Sequence, residues 1–314
     1  MHSPVLFLVF NRPDLTAKVF DTIRSARPPK LYVAADGPRT SEPNEANICE
    51  AVRRIATDVD WPCDVRRLFQ PINLGCKLGV STGINWFFEN EEAGIILEDD
   101  VLPLPSFFSY CDILLEKYRF DDRIGLISGS NLISSKIKHQ ESYFFSQIPL
   151  IWGWASWRRT WRTYDVQMKT WPTWDNSGGL KKLFPSNILL QSYWRDAFNR
   201  VYFEKLDTWD YQLIYASWKT NALTIIPAEN LTDNLGYGLN ATHTSNRKPA
   251  SLEDSVPRNL DLPLRHPDKI KINIKVDYLI FKHVHEIDVK GFIRKQLRPL
   301  RKLIKVIKRY LKIT

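Results

Sequence analysis

The stretch GIILEDDVLP, residues 94–103, sets an apolar run directly against three adjacent carboxylates, Glu98, Asp99 and Asp100. Like charges in a row repel at neutral pH, so something must compensate them. A solvated acidic turn would leave that to water. A general acid/base pair would need two carboxylates facing each other across a substrate, whereas neighbours on a strand point to opposite faces. A hard-cation site would use one or two of the carboxylates, with phosphate oxygens completing the shell of Mg²⁺ or Mn²⁺ and the charge of the ion keeping the acids ionised. The apolar run favours the cation site, because a rigid strand delivers its last carboxylates to a sheet edge.

Other polar groups fall at corresponding places. Short apolar runs at 4–10, 31–35, 63–69, 94–97 and 123–128 read as strands, and segments near 15–26, 45–57, 77–90 and 105–119 read as helices between them. Asp14 is the expected N-cap of the first helix. Asn11 and Arg12 follow the first strand, Asp36 and Gly37 the second, Asn73 and Gly75 the third, and Asn131 the fifth. Such alternation predicts a mostly parallel sheet with helices packed on it. Ligands of open α/β sheets bind outside the carboxyl ends of the strands, so a nucleotide-sized crevice is expected there. No Walker loop or G-x-G-x-x-G motif is present, so phosphates would rely on a metal rather than a glycine cradle.

The chain of 314 residues is 44% hydrophobic and holds 16 Phe, 12 Tyr and 11 Trp, enough for a large core. Four separated cysteines without a C-x-x-C pair suggest neither a disulfide scaffold nor a zinc site, and point to a reducing cytosol. PVLFLVF is too short and too poorly flanked for a signal peptide. Four stretches are expected along the chain: a nucleotide-sugar-binding half over 1–135, an acceptor-binding and catalytic half over 136–250 that is rich in tryptophan, a proline-containing linker or wrapping arm over 251–285, and a basic tail over 286–314.

The segments FNRPDLT, AADGPR, NLGCKLGVSTGINWFF, GIILEDDVLP, TWDYQL and NLGYGLNATHT, in this order, resemble the GT-A glycosyltransferases, and among them the bacterial family-2-like and N-acetylglucosaminyltransferase I-like sugar transferases. The resemblance implies an α/β fold of the GT-A (nucleotide-diphospho-sugar transferase) type with a mixed, mostly parallel sheet. It implies that Asp36 bonds the nucleobase, that Asn11 and Arg12 line the nucleotide pocket, that Asp99 faces the ribose or sugar, that Asp100 binds Mn²⁺ or Mg²⁺, and that Lys77 approaches the phosphates. Asp210 is the implied base, with Asp207 the rival; Asp207 or Thr208 is expected to cap the helix that Asp210 begins. A first-turn aspartate that answers the helix dipole is the plainer reading of Asp210. His243 matches the place of a metal or diphosphate ligand, although a lone histidine is more often structural. The WGWASW segment would close over donor and acceptor, with Gly153 permitting close approach and Trp152 and Trp154 offering flat faces to sugars; buried core is the competing reading of these tryptophans.

The net charge of +9 sits in the tail, since residues 290–314 hold ten basic residues and no acidic one. Ile293, Leu297, Leu300, Ile304, Ile307 and Leu311 form one stripe, which Pro299 should kink. A basic amphipathic helix of this kind is expected to lie on an anionic membrane surface. Nucleic acid would leave the stripe without a purpose, and docking on another protein is the remaining alternative. The expectation is a peripheral enzyme at the inner face of the cytoplasmic membrane. It would be a metal-dependent, inverting glycosyltransferase that moves a sugar from a nucleotide diphosphate, UDP by the resemblance, to a glycan or lipid-linked acceptor in surface polysaccharide synthesis. A non-catalytic nucleotide- or sugar-binding module and a sugar-1-phosphate nucleotidyltransferase are the alternatives. The latter is disfavoured because FNRPD stands where a glycine-rich start would follow the first strand.

Overall fold

The computed structural model describes residues 1–237 and 255–285. His243 and the basic tail lie outside the described residues. The expected first-half elements form in order: β1 (Val5–Val9), α1 (Pro13–Ala26), β2 (Lys30–Ala35), α2 (Glu45–Ala56), β3 (Asp64–Phe69), α3 (Gly75–Asn90), β4 (Ala93–Glu98), a short β5 (Val101–Pro103), α4 (Pro105–Lys117) and β6 (Ile124–Ser128). The N-cap of α1 is Arg12 rather than Asp14, because Pro13 takes the first helical position, where its missing N–H costs nothing. Asp14 instead lies in the first turn, where its charge suits the helix dipole.

The second half continues with β7 (Tyr143–Ser146), β8 (Trp154–Trp157), α5 (Arg158–Trp161), α6 (Trp171–Asn176), α7 (Gly179–Leu183), α8 (Ile188–Tyr202), α9 (Asp210–Thr220), β9 (Leu223–Pro227), β10 (Thr232–Asn234) and α10 (Ile274–His283). The main sheet has eight strands in the order β3-β2-β1-β4-β8-β6-β9-β7. β3, β2, β1 and β4 are mutually parallel, and β6 is parallel to β9. β8 runs antiparallel between β4 and β6, and β7 antiparallel to β9. The fold is therefore a mixed, mostly parallel sheet flanked by helices.

Strand parity sorts the core. Val5, Phe7 and Val9 of β1, with Ile95 and Leu97 of β4, pack on one face against Val19, Phe20 and Ile23 of α1 and the inner side of α4. Leu6, Leu8 and Ile96 pack on the other face with Ile84 and Phe87 of α3 and Leu213 of α9. A second aromatic core lies under α6, α8, α9 and α10. There Trp194 and Trp218 meet edge-on at 4.7 Å between centroids, and Trp171 and Phe198 at 4.9 Å.

Two strand pairings bring the second half onto the end of β4. Ile96 lies opposite Trp154, so the residues just before β8 sit beside the acidic trio. Asn234 of β10 lies opposite Val101 of β5, and the Leu235 N–H donates to the Asp100 carbonyl at 2.7 Å. From Ser255 onward the chain runs against the body: Arg258 N–H donates to Asn230 O, Leu260 N–H to Ser106 Oγ, and Arg265 N–H to Ser142 Oγ.

Candidate active site

The carboxyl ends of β1, β2 and β4 open into a cleft of about 440 Å³. Parallel register aligns them, with Val9 beside Ala35 and Leu8 beside Glu98, so the residues that follow each strand meet at one edge. One wall carries Phe10, Arg12, Asp36, Asn73 and the first turns of α3. The floor carries Glu98, Asp99 and Asp100. Trp152 and the run Asp207–Asp210 complete the lining, with Asp207 against the first turn of α3. Of the expected site residues, Arg12, Asp36, Asn73, Asp99, Asp100, Trp152, Asp207 and Asp210 line this one space.

The acidic trio divides by parity. Glu98 continues the face of Ile96 and so looks toward α3 and α9, while Asp99 turns toward α1. Asp99 is 7% exposed and accepts from Phe10 N–H at 3.3 Å. Desolvation, reinforced by the charge of Asp100 and opposed by Arg12, pushes its carboxyl up to about 7. Desolvation and the charges of Asp100, Asp99 and Asp210 push the Glu98 carboxyl well above the usual carboxylate range. Arg12 donates from Nη1 to Asp100 Oδ2 at 2.7 Å, and the same nitrogen stands 3.5 Å from Asp99 Oδ1.

Asp36 binds the loop that leads into α3. Its Oδ1 accepts from Gly37 N–H at 2.8 Å and Leu74 N–H at 2.9 Å, and its Oδ2 from Asn73 Nδ2 at 3.0 Å. Desolvation raises its pKa against these bonds. Asn11 donates to Glu45 Oε1 at 2.8 Å and does not line the cleft. Glu45 also receives Arg39, whose side chain holds the Glu45 carboxyl down at about 2. Lys77 lies in the first turn of α3, where its Nζ stands 3.5 Å from Glu204 Oε1; it does not line the cleft.

Asp207 and Asp210 have different surroundings. Asp207 accepts Cys76 N–H at Oδ2 and Lys77 N–H at Oδ1, both at 3.2 Å, and so caps α3 from 130 residues away. Neither Asp207 nor Thr208 caps α9, contrary to expectation: its N-cap is Trp209, and Thr208 Oγ1 bonds instead to Asp210 Oδ1. Asp210 is the first residue of α9, and its Oδ1 also accepts from Tyr211 N–H at 2.9 Å. No hydrogen bond among the described residues engages its Oδ2.

The two rings of WGW, both expected to offer flat faces, part company in the structure. Trp152 lines the cleft and meets Tyr237 edge-on at 6.0 Å. Trp154 does not: it is 1% exposed and stacks on Trp209 at 6.0 Å inside the core. The reason is Gly153, whose φ of +70° breaks the extended run between the two rings. A Cβ there would meet Thr232 Cγ2 at 2.9 Å.

The cleft also contains residues that sequence reasoning did not assign. Glu98 was visible in the trio, but its side of the sheet acquires meaning only once α9 is known to pack there. Asn234 depends on the three-residue β10, and Cys76 and Arg39 lie within the quoted segments NLGCK and AADGPR without a role assigned to them. Among the described residues, no group of three or more His, Cys, Asp or Glu is set to hold a metal ion. The donors near the corner, Asp99, Asp100 and Asn234, offer carboxylate and amide oxygens. The backbone passes so close that a Cβ on Gly236 would stand 2.2 Å from Asp100 Oδ2. Oxygen donors in small number suit a hard cation that takes its other ligands from a bound phosphate.

No family model matches the chain, and no curated protein matches it. Among solved structures, apo UDP-glucose pyrophosphorylase aligns at 11% identity over 72% of this chain and 90% of that one, with a TM-score of 0.37. Mouse xyloside xylosyltransferase 1 in its apo form aligns at 10% identity over 71% and 84%, TM-score 0.32. HddC from Yersinia pseudotuberculosis aligns at 8% identity over 52% and 80%, TM-score 0.30. At such scores the chemistry must come from the cleft's own residues. All four cysteines are free thiols, and no helix among the described residues is long and apolar enough to cross a membrane.

Proposed function

We propose that the chain is a metal-dependent, inverting glycosyltransferase that moves a sugar from a nucleoside diphosphate, UDP by sequence resemblance, to a glycan or lipid-linked acceptor. What supports this reading is one juxtaposition: the acidic corner at the ends of β1, β2 and β4 shares a cleft with Asp210, a carboxylate with one oxygen that no hydrogen bond among the described residues engages. The donor would lie along the strand ends, with the base near Asp36 and Asn73 and the diphosphate toward Arg12. Asp100, with His243 as the second expected ligand, would hold Mn²⁺ or Mg²⁺, whose charge would offset that of the departing diphosphate.

The residues of the chain would do the rest. Asp210 would take the proton of the acceptor hydroxyl as that oxygen forms its bond to the anomeric carbon. The bond from that carbon to the diphosphate oxygen breaks, and the nucleoside diphosphate leaves with the electron pair. Trp152 would pack against a sugar face. Residues 290–314 would bring the enzyme to an anionic membrane where a lipid-linked acceptor resides.

A thermal-shift screen of UDP, GDP, ADP and CDP, each with and without Mn²⁺, tests the donor site. UDP raising the melting temperature only with Mn²⁺ supports the reading, and no response to any nucleotide refutes it. UDP-sugar turnover that is lost in Asp100→Ala and Asp210→Ala separates an enzyme from a silent binding module. Pyrophosphate exchange with a sugar phosphate would instead identify a nucleotidyltransferase.

A further inference from the structure

The acidic corner already has a cation. Among the described residues, two arginines line the cleft, Arg12 and Arg39. Arg39 is committed to Glu45, with bonds of 3.1 and 2.5 Å to Oε1 and 3.0 Å to Oε2 from its side chain. Arg12 is the one that reaches the trio, 2.7 Å from Asp100 Oδ2 and 3.5 Å from Asp99 Oδ1. A guanidinium on Asp100 Oδ2 and a divalent ion on the same carboxylate compete twice over, for the same lone pairs and through like charge. The ion can gain full use of Asp100 only if the guanidinium finds another anion, and a diphosphate matches its forked donors better than a single carboxylate oxygen does.

We propose that Arg12 is a built-in counter-cation that keeps a divalent ion off Asp100 until a nucleoside diphosphate draws its guanidinium away, so that ion and nucleotide enter the cleft as a pair. The inference deepens the donor-site reading given above and rests on it. Arg12 is thus a positioning residue, and its signature is the affinity of the protein for the ion alone.

The test is Mn²⁺ binding to the full chain, followed by electron paramagnetic resonance of the free ion, with and without UDP. In the wild type, UDP should strengthen Mn²⁺ binding about tenfold or more, a coupling of ordinary size. In Arg12→Gln, Mn²⁺ alone should bind about tenfold tighter than in the wild type, and the strengthening by UDP should shrink by a similar factor, because UDP no longer has a guanidinium to draw off Asp100. Adding Asp100→Asn to Arg12→Gln should remove the gain. If Arg12→Gln does not fold, Arg12→Met serves, because it keeps an aliphatic stem and carries no charge; tighter Mn²⁺ binding supports the proposal and unchanged affinity overturns it. A wild type that binds Mn²⁺ with UDP, alongside an Arg12→Gln whose affinity for the ion alone stays within about twofold or whose gain survives Asp100→Asn, overturns this inference and leaves the donor site standing. A wild type that binds no Mn²⁺ even with UDP overturns the donor-site reading and this inference together.

Discussion

Asp207 and Asp210 are three residues apart and both line the cleft, yet their oxygens are differently spent. Both carboxylate oxygens of Asp207 hold amides in the first turn of α3, whereas Asp210 gives Oδ1 to Thr208 and Tyr211, and no hydrogen bond among the described residues engages its Oδ2. A base needs an unspent lone pair directed at substrate. Asp210→Asn should therefore lower kcat by roughly 10²–10⁴-fold while nucleotide binding and melting temperature stay near wild type. Asp207→Ala should cost about 1 kcal/mol of stability, as a lost helix cap does, with a much smaller effect on kcat. Steady-state kinetics and denaturant melts of the two variants decide it, and the assignment is wrong if the large kcat loss falls on Asp207. The tryptophans separate in the same way. Trp154→Ala should destabilise by about 3–5 kcal/mol, as emptying an aromatic site in a packed core does. Trp152→Ala should leave stability close to wild type and weaken substrate binding instead. Equal melting temperatures for the two would contradict their placement.

Legibility at the level of elements follows the length of the apolar run. β1, β2, β4 and β6 are five or six residues of mostly buried apolar side chain, and their boundaries were readable to within a residue or two. β5 and β10 have three residues each, and β7 and β8 four, and they pair with partners far away in sequence. No local period announces such strands. The tryptophan-rich stretch misled for a related reason, since a ring carries no mark of whether it faces a sugar or another ring. α10 was hidden behind the prolines that precede it; besides its apolar residues in the aromatic core, a carboxylate joins it to β7. Asp277 is buried and accepts Ser146 Oγ at 2.6 Å and Gln147 N–H at 3.3 Å. Burial outweighs these bonds and raises its pKa to about 6. A carboxyl raised in the folded state binds its proton more tightly there than in the unfolded chain, so this site's contribution to stability falls as pH rises from about 4 through about 6 and levels off above. The span is worth about 3 kcal/mol at 1.36 kcal/mol per pKa unit. Asp277→Asn keeps an acceptor for Ser146 and cannot ionise. Urea melts between pH 4 and 7 should thus show the wild type losing stability relative to this variant as pH rises; parallel curves would remove Asp277 as the cause.

The charge of the whole molecule is lopsided in a way no single element explains. Ten basic residues and no acidic one lie in 290–314, interleaved with the apolar stripe from Ile293 to Leu311, while the rest of the chain is close to neutral. Among the described residues, six carboxylates and two arginines line the cleft, and the arginines are spoken for by Asp100 and Glu45. A partner that uses both properties of the tail must offer negative charge and an apolar layer beneath it. An anionic bilayer does so; nucleic acid offers the charge alone. Each basic residue near such a surface gains roughly 1 kcal/mol, and the attraction weakens as salt shortens the screening length. The full chain should accordingly sediment with vesicles of mixed phosphatidylglycerol and phosphatidylcholine, less so at 0.5 M salt than at about 0.1 M, and scarcely at all with phosphatidylcholine alone. Removal of 290–314 should abolish the sedimentation and leave UDP and Mn²⁺ binding in the cleft unchanged, since the site is built from residues ahead of the tail. Vesicle binding that persists without the tail would move the membrane contact to another surface. Binding of duplex DNA that matches vesicle binding in strength would show that the apolar stripe plays no part.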